Sequence, residues 1–558
     1  MTSPSNPLIV QGDKSILLEV QNEQYEAARD ALARFAELEK SPEYIHTYRI
    51  TPLSLWNAAS AGLKAVEILS DLENYSKYSL PSNVVRDIDE YMGRYGRIKL
   101  VREGENLVLT SDDPLLMVEI LHHKKTQILV REQLDEHRAL IVPGMRGHIK
   151  QALLQIGFPT EDLAGYVVGE DLPLALRLAT REGKPFTVRH YQSEAAEVFY
   201  AGCSVRGGSG VIVLPCGAGK TIVGMAAMAQ LQTSTLILTP NTIAVRQWIN
   251  ELLDKTSLTE DLIGEYSGLQ KDIRPVTVST YQILTYRKHG TEEFPHFGLF
   301  SARNWGLIIY DEVHLLPAPV FRITAELQAR RRLGLTATLV REDGMEQDVF
   351  SLIGPQKYNV PWKDLEKQGW IATAMCHEIR VPLNENARMD YAMAPQRLKY
   401  AVSAHNSRKI PLMQTILDRH KHENILVIGM YLDQLTEIAA LLNAPLITGE
   451  TPIREREKLY GQFRNGDVKI LVVSKVANFS IDLPDANVAI EISGTFGSRQ
   501  EEAQRMGRIL RPKSDGSMAH FYTIVTRDTI DQTFAANRQR FLTEQGYKYE
   551  ILYENEVI

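Results

Sequence analysis

The fold is decided by one stretch of sequence, Gly210-Val211-Ile212-Val213-Leu214-Pro215-Cys216-Gly217-Ala218-Gly219-Lys220-Thr221. A short apolar strand runs into a loop of small residues, and the pattern predicts a helix over 221–231. Small residues let backbone N–H groups close around a phosphate, and the helix N-terminus adds partial positive charge. A strand, such a loop and a helix together indicate a phosphate-binding loop in an α/β domain.

The side chains of this loop suit a nucleotide with Mg²⁺. Lys220 can reach the β- and γ-phosphates, and the Thr221 hydroxyl can bind the metal. Leu214 replaces the first glycine of the strict pattern, and the shorter GxGKT core also occurs by chance. The nucleotide-binding residues predicted in the loop are Pro215, Cys216, Gly217, Ala218, Gly219, Lys220 and Thr221.

Ten apolar, β-rich runs alternate with helical segments from about residue 186 onward, which predicts parallel α/β sheets. The first five are Val211–Leu214, Thr235–Leu238, Val276–Ser279, Leu307–Tyr310 and Leu333–Leu335. The second five are Ile425–Ile428, Leu446–Thr448, Ile470–Val473, Val488–Ile492 and His520–Val525. The proline-containing gap at 358–407 separates the two sets and predicts two sheets with a hinge between them.

The first 180 residues have a different pattern. Thr51 and Pro52 predict a helix start, with a helix reaching towards Leu69 and another between positions 81 and 96. The runs 98–101 and 107–109 flank polar residues and predict a hairpin. Helices followed by a hairpin suggest a winged helix, and residues 112–175 suggest a further α+β unit.

Composition bounds the class of protein. The chain has 558 residues, enough for roughly three to five domains. Its three cysteines form no CxxC pair, which argues against a zinc or iron–sulfur site and favours a reducing compartment. There is no signal-like N-terminus and no apolar run that would span a bilayer, so we expect a cytoplasmic protein without a membrane partner. The net charge of −7 fits plain solubility, and binding of nucleic acid would require positive charge concentrated in a groove.

Two carboxylates follow the fourth strand of the first set. Asp311 is expected to hold Mg²⁺ and Glu312 to orient or deprotonate an attacking water. Two acidic residues at a strand end are common by themselves, but downstream of a phosphate-binding loop they indicate hydrolytic chemistry. His314 has no second histidine at ligand spacing, so a coupling role is favoured over metal binding.

An arginine-rich run, Gln504-Arg505-Met506-Gly507-Arg508-Ile509-Leu510-Arg511, lies in the second half of the chain. Arg508 and Arg511 are three residues apart and share one face of a helix. Cations of this kind stabilise charge that develops on a transferred phosphate. A solvated basic helix is the alternative, and the two upstream motifs argue against it.

The order GxGKT, DEVH, Thr336-Ala337-Thr338 and QxxGRxxR is similar to that of the superfamily-two helicases. The run Arg341-Glu342-Asp343 and the segments 352–355, 474–476, 482–487 and 497–504 resemble XPB helicases of the compact prokaryotic branch. The resemblance covers nearly all of residues 186–515. It implies two tandem RecA-like domains with parallel sheets, preceded by small α+β domains, and a 3′-to-5′ DNA-dependent ATPase active in DNA repair.

The same resemblance implies site residues. Arg189 and Gln192 match a Q-motif in which the glutamine binds the adenine edge, with Gln504, Arg508 and Arg511 joining the catalytic set of Lys220, Asp311 and Glu312. The DNA-binding or coupling residues are Thr239, Pro240, Ser279, Thr280, His314, Thr336, Thr338, Arg341, Glu342, Asp343, Gly449, Ser474 and Lys475. Hydroxyls suit phosphate contacts that do not read sequence, and an ordinary cap or turn is the alternative for each.

Expected domains are a winged-helix-like domain at 1–111, a damage-recognition-like domain at 112–180, RecA-like domains at 181–378 and 379–545, and a tail at 546–558. The resemblance also implies a short thumb-like insert near 389–407, with Tyr391, Arg397, Lys399 and Tyr400 as DNA contacts. His190 and Ala477-Asn478 depart from the family pattern.

Three functions stay open on sequence. The first is an ATP-dependent DNA helicase acting as a monomer on single-stranded, forked or damaged DNA. The second is a duplex translocase or local DNA opener that serves as the motor of a partner repair nuclease. The third is a damage-binding scaffold switched by ATP, against which the complete hydrolytic set argues.

Overall fold

The computed structural model describes residues 3–41, 44–204, 206–215, 217–287, 294–327, 330–338, 346–474, 486–496, 498–509 and 518–557. At positions 322, 453, 499, 500, 504, 508 and 541 it describes the backbone only. The chain divides into two compact units. The first comprises 1–37, 47–214 and 219–360, and the second comprises 361–558 together with 38–46 and 215–218.

The N-terminal part is α+β, as predicted. Its strands are β1 (Leu8–Val10), β2 (Ser15–Glu19), β3 (Glu37–Lys40), β4 (Ile45–Arg49), β5 (Ile98–Glu103), β6 (Asn106–Ser111), β7 (Val130–Gln133), β8 (Arg138–Ile141) and β9 (Thr160–Asp162). Its helices are α1 (Tyr25–Leu32), α2 (Pro52–Ser60), α3 (Ala65–Tyr75), α4 (Ser82–Arg94), α5 (Pro114–His122) and α6 (Arg146–Gln155). They accompany a four-stranded sheet of order β1-β2-β4-β3 and a five-stranded sheet of order β7-β8-β6-β5-β9.

In this part, the predicted helix start and hairpin are confirmed, whereas the predicted helix length and domain boundary are wrong. Thr51 caps α2, because its hydroxyl accepts from the Ser54 N–H at 3.0 Å. The single helix expected towards residue 69 is two helices, separated at Gly62, whose φ is 92°. The predicted hairpin is β5–β6, but it lies in the middle of the five-stranded sheet rather than forming a terminal wing. The expected boundary at 111/112 therefore falls inside one sheet.

The first parallel sheet has the order β12-β13-β11-β14-β15-β10-β16. Its strands are β10 (Ser209–Val213), β11 (Thr235–Thr239), β12 (Ile263–Tyr266), β13 (Val276–Thr280), β14 (Leu307–Asp311), β15 (Arg331–Thr336) and β16 (Gln356–Asn359). The helices are α7 (His190–Tyr200), α8 (Lys220–Leu231), α9 (Thr242–Lys255), α10 (Tyr281–Leu284), α11 (Ala318–Glu326) and α12 (Glu346–Asp348). All five predicted strands are present, and the two edge strands β12 and β16 were missed.

The N-terminal part packs against this domain through glycine. A Cβ on Gly147 of α6 would lie 2.4 Å from the carbonyl oxygen of Ala325 in α11, so only glycine permits this approach. Nearby, the Tyr166 hydroxyl donates to Ser209 Oγ at 2.9 Å, at the start of β10. The strand that leads to the phosphate-binding loop is thus tied to the segment that follows β9.

The second parallel sheet has the order β19-β20-β18-β21-β22-β17-β23. Its strands are β17 (Ala374–Val381), β18 (Ile425–Gly429), β19 (Leu446–Ile447), β20 (Ile470–Ser474), β21 (Val488–Glu491), β22 (Ala519–Thr526) and β23 (Tyr549–Tyr553). The helices are α13 (Trp362–Lys367), α14 (Glu385–Met393), α15 (Gln396–Ala404), α16 (Lys409–Arg419), α17 (Leu432–Leu442), α18 (Ile453–Asn465), α19 (Arg499–Ile509), α20 (Ile530–Glu544) and α21 (Glu554–Val557). With both sheets parallel, the predicted tandem α/β architecture is confirmed.

Three sequence expectations differ from this domain. The boundary at 378/379 falls inside β17, which pairs with β22 over its whole length. The expected tail contains β23, which pairs in parallel with β17. In the expected thumb, Tyr400 is 2% exposed and its hydroxyl donates to the Gly494 carbonyl, so its side chain belongs to the core rather than to a DNA-contacting surface. Within the described ranges, no helix is both long and apolar enough to cross a bilayer.

Candidate active site

The phosphate-binding loop leaves the end of β10 as predicted. Leu214 is fully buried, and its N–H donates to the Thr336 carbonyl at 3.0 Å, which fixes the loop against the end of β15. Gly217 and Gly219 both have a φ of 81°, a left-handed conformation that favours glycine. Helix α8 begins directly at Lys220. Cys216 lies outside the described residues.

Gln192 lies against the start of α8. Its side-chain oxygen accepts from the Arg189 N–H at 2.9 Å, which caps α7. A Cβ on Gly219 would lie 2.4 Å from Gln192 Nε2, so the amide occupies the space beside that glycine. Gln192 is 3% exposed, and Arg189 donates to the Tyr191 hydroxyl at 3.0 Å. The structure therefore brings the predicted adenine-binding glutamine and the phosphate loop together.

Asp311 ends β14 with both carboxylate oxygens engaged. Oδ2 accepts from Trp248 Nε1 at 2.9 Å, and Oδ1 accepts from the Glu312 N–H at 3.1 Å. Burial and the neighbouring Glu312 carboxylate raise the pKa of Asp311 to about 6. Trp248 was missed at the sequence level, since a tryptophan inside an amphipathic helix carries no sign of a polar partner.

Glu312 and Lys220 form an ion pair, with Lys220 Nζ 3.8 Å from Glu312 Oε1. Glu312 has a left-handed backbone with a φ of 49°, which is uncommon for a residue with a side chain and is often found at functional sites. Its other oxygen, Oε2, is buried and has no hydrogen-bond partner among the described residues. That atom is placed to accept a hydrogen bond from a water molecule.

These residues fit ATP with Mg²⁺. The two left-handed glycines and the helix start at Lys220 form a cradle in which a side chain on Gly219 would collide with Gln192. The metal donors would be the Thr221 hydroxyl and the Asp311 carboxylate, and oxygen donors completed by water are the set that Mg²⁺ prefers. Each Asp311 oxygen accepts one bond from the protein, which leaves lone pairs for water bound to the metal.

His314 connects this site to the Thr336-Ala337-Thr338 segment. Its Nδ1 lies 2.7 Å from Thr336 Oγ1, and the side chain is buried. The Thr336 hydroxyl donates to the Thr338 carbonyl and accepts from the Thr338 N–H at 3.1 Å. Because its single proton is already used, the hydroxyl must accept from His314, so Nδ1 carries the proton. The predicted coupling histidine and threonine segment are therefore in direct contact.

The candidate DNA-contacting hydroxyls of the first domain face inward. Thr239, Ser279 and Thr280 end β11 and β13 and are at most 3% exposed. Thr239 Oγ1 donates to the Ser279 carbonyl at 3.1 Å, and Thr280 caps α10 by accepting from the Ile283 N–H at 3.2 Å. In this structure the hydroxyls of Thr239 and Thr280 stabilise turns, which was the alternative interpretation, whereas the Ser279 hydroxyl is buried and makes no hydrogen bond among the described residues.

In the second unit, Ser474 is 3% exposed at the end of β20, whereas Gly449 is exposed. The Gly449 carbonyl accepts from Arg456 at 2.7 Å. In the first unit, Pro240, which directly follows β11, is half-buried. The remaining predicted residues Arg341, Glu342, Asp343, Lys475 and Arg511 lie outside the described residues.

Helix α19 carries the arginine motif, although the side chains of Gln504 and Arg508 are not described. A buried ionic cluster, formed by Glu491, Glu502, Arg505 and Arg538, holds this helix. Glu491 pairs with Arg505 and, at 2.8 Å, with Arg538. Burial and Glu491 raise the pKa of Glu502 to about 8. Arg505 therefore has a structural partner inside its own domain, a role that the sequence motif did not indicate.

Comparisons with known proteins identify helicase families along the chain. Residues 365–558 match the ERCC3/RAD25/XPB C-terminal helicase family, 185–341 match the restriction enzyme type III res subunit family, and 8–135 match a helicase conserved C-terminal domain. A "DNA 3'-5' helicase XPB" of Kineococcus radiotolerans is 55% identical over 98% of this chain and 96% of its own length. One of Mycobacterium tuberculosis is 56% identical over 98% of this chain and 97% of its own length.

A eukaryotic relative is more distant. The "General transcription and DNA repair factor IIH helicase/translocase subunit XPB" of Enterocytozoon bieneusi is 32% identical over 98% of this chain and 92% of its own length. The resemblance noted from the motifs thus extends to the N-terminal part, which those motifs do not include. With more than half of the residues identical to two relatives across 98% of its length, the chain belongs to the XPB helicase family.

Proposed function

We propose that the chain is an ATP-dependent 3′-to-5′ DNA helicase of XPB type that uses Mg²⁺ and acts in DNA repair. The observation that carries this proposal is the joint placement of Lys220, Asp311 and Glu312. A module that only binds nucleotide has no need of a carboxylate beside the phosphate-binding lysine with a buried oxygen that makes no hydrogen bond among the described residues. Membership of the XPB family supports DNA as the substrate.

The roles of the side chains follow from their positions. Lys220 Nζ would leave Glu312 for the β- and γ-phosphate oxygens, because a doubly charged phosphate attracts it more strongly than one carboxylate. Freed in this way, Glu312 would orient and deprotonate the attacking water. Thr221 and Asp311 would hold Mg²⁺, which when bound neutralises charge on the phosphate oxygens.

Two further roles complete the proposal. Arg508 and Arg511 would contribute positive charge to the transition state, as arginine fingers do. His314 and the Thr336–Thr338 segment would couple the state of the site to DNA contacts. We propose single-stranded, forked or damaged DNA as the substrate and a monomer as the active form.

A second candidate is a duplex translocase or local DNA opener that drives a partner nuclease. It is favoured by the names of two eukaryotic relatives, which are "helicase/translocase" subunits. Both activities need the same hydrolytic residues, so the site does not separate them. An ATP-switched scaffold is less compatible with the pairing of Lys220 and Glu312.

The test is ATP hydrolysis without nucleic acid and with single-stranded DNA, forked DNA, duplex DNA and RNA, together with strand displacement and triplex displacement. We expect DNA but not RNA to stimulate the wild type. Lys220→Ala should abolish turnover, and Glu312→Gln should bind ATP but hydrolyse it at least about 100-fold more slowly. Lys184→Ala, which removes an exposed lysine of the same unit, is the matched control. Normal turnover in Lys220→Ala would overturn the site, and triplex without strand displacement would favour the translocase.

A further inference from the structure

Trp248 joins two elements that the proposed mechanism treats separately. It lies on α9, which starts directly after Thr239-Pro240-Asn241 and is capped by the Asn241 side chain, whose oxygen accepts from the Ala244 N–H at 3.0 Å. The Trp248 side chain is 1% exposed. Its indole edge packs on α8, since a Cβ on Gly224 would lie 2.6 Å from Trp248 Cη2.

The polar end of the same indole reaches the active site. Trp248 Nε1 donates to Asp311 Oδ2 at 2.9 Å. A buried indole N–H needs an acceptor, but a backbone carbonyl is sufficient, as shown by Trp305, which donates to the Leu299 carbonyl at 2.9 Å in the same domain. Trp248 instead donates to Asp311, one of the two side chains that the proposed function assigns to the metal.

This contact fixes the carboxylate of Asp311. One oxygen is held by the Trp248 indole and the other by the Glu312 N–H at 3.1 Å, so rotation about the terminal bond would break both hydrogen bonds. The lone pairs that stay open then point in one fixed direction. Hydrogen bonds from such outer partners typically change metal affinity or activity by 10–100-fold.

We propose that Trp248 is a positioning residue for Asp311, which orients the carboxylate towards the metal-binding position through its indole N–H. The inference rests on the proposed function, in which Asp311 holds Mg²⁺. It adds to that function a residue that lies outside the motifs and acts without touching nucleotide or metal.

The test compares Trp248→Phe with Trp305→Phe, a matched variant that loses a buried indole hydrogen bond away from the site. The first measurement is Mn²⁺ binding to the complex with ADP, by the amplitude of the free Mn²⁺ electron paramagnetic resonance signal. Nucleotide affinity in EDTA and the Mg²⁺ dependence of ATP hydrolysis are measured in parallel. We expect Trp248→Phe to weaken Mn²⁺ binding about tenfold and to raise the Mg²⁺ midpoint to a similar extent.

In EDTA, Trp248→Phe should bind ADP within about twofold of the wild type, and Trp305→Phe should keep wild-type Mn²⁺ affinity whatever its thermal stability. If Trp248→Phe does not fold, β-(3-benzothienyl)alanine at position 248 keeps the bicyclic shape and lacks the N–H. Wild-type Mn²⁺ affinity in Trp248→Phe, or in the protein with the benzothienyl side chain at position 248, would overturn the inference. A wild type that shows neither nucleotide-dependent Mn²⁺ binding nor hydrolysis would instead overturn the proposed function.

Discussion

Asp162→Asn tests a buried ionic cluster that joins β9 to α6 within the N-terminal part. Asp162 ends β9, and its carboxylate accepts from Arg146 at 2.7 and 3.0 Å and from Lys150 at 3.1 Å. All three side chains are 8% exposed. Burial opposes ionisation, but Lys150 and Arg146 hold the pKa of Asp162 below its usual range. The substitution keeps the shape and leaves two buried cations without their carboxylate.

The burial of this cluster sets the expected loss of stability in Asp162→Asn. Removing one partner of a buried ion pair costs about 3–5 kcal/mol, because the remaining charge stays desolvated. The unit holds about 350 residues, and an unfolding entropy of about 2.1 cal/mol/K per residue converts this loss into a Tm lower by about 4–7 °C. Asp135→Asn is the matched control, since Asp135 pairs with Arg138 at 2.7 Å while both are well exposed. It should cost at most about 1 kcal/mol.

The dependence on pH provides a second check. Burial lowers the pKa of Lys150 to about 7. A lysine whose folded pKa lies below its unfolded value binds fewer protons in the folded state, so its contribution to stability rises with pH above about 7. At pH 9 Lys150 is largely neutral, and Asp162→Asn then leaves only Arg146 uncompensated. Thermal unfolding at pH 6 and pH 9 should therefore show a smaller gap between wild type and variant at pH 9. A Tm within 1 °C of Asp135→Asn at both values would refute the reasoning.

Three other variants probe the rest of the molecule. Gly219→Ala should weaken nucleotide binding more than about tenfold by fluorescence titration, because its φ of 81° and its Cβ clash disfavour alanine, and unchanged affinity would contradict the cradle. His314→Ala removes the bond to Thr336 and should reduce DNA stimulation by a larger factor than DNA-free turnover, whereas equal losses would argue against coupling. Glu502→Gln should exceed the wild type in unfolding temperature by more at pH 9 than at pH 6, because burial and Glu491 raise the pKa of this carboxyl to about 8, and the stability that depends on its proton is lost progressively as the pH rises from its ordinary pKa to that value. If the difference in unfolding temperature between variant and wild type is the same at pH 6 and pH 9, Glu502 does not titrate between these values.

The sequence predicted what is local in the chain. The phosphate-binding loop needs a strand, left-handed glycines and a helix start within twelve residues, and its described part is found as expected. Central parallel strands are buried on both faces, so they could be predicted from their continuous apolar runs alone. The cap at Thr51 was equally visible, because it depends on residues only three positions apart.

Pairing between strands or side chains that are far apart in the sequence could not be predicted. The strand β23 carries Glu550 and has no fully buried residue, so its sequence does not distinguish it from a polar tail until β17 is placed beside it. Arg505 belongs to the arginine-rich run on α19, and its structural role depends on Glu491, which lies far from it in the sequence on β21. The burial of hydroxyls such as Thr239 could not be predicted either, because sequence reports the chemistry of a side chain and not its direction.

The carboxylates of Asp311 and Glu312, at the end of β14, contact different parts of the domain. Asp311 is tied through Trp248 to α9, whose first turn follows the Thr239-Pro240-Asn241 segment. Glu312 lies 3.5 Å from His314, whose other contact is Thr336 at the end of β15. Both segments are ones that family resemblance assigns to DNA contact or coupling. A movement of α9 would therefore act on Asp311, the carboxylate proposed to bind the metal, and a movement of the threonine segment would act on Glu312, the one proposed to activate water. Substitutions along the two routes should then differ in kind: those on α9 should change the Mg²⁺ requirement, and those at His314 should change DNA stimulation at saturating Mg²⁺.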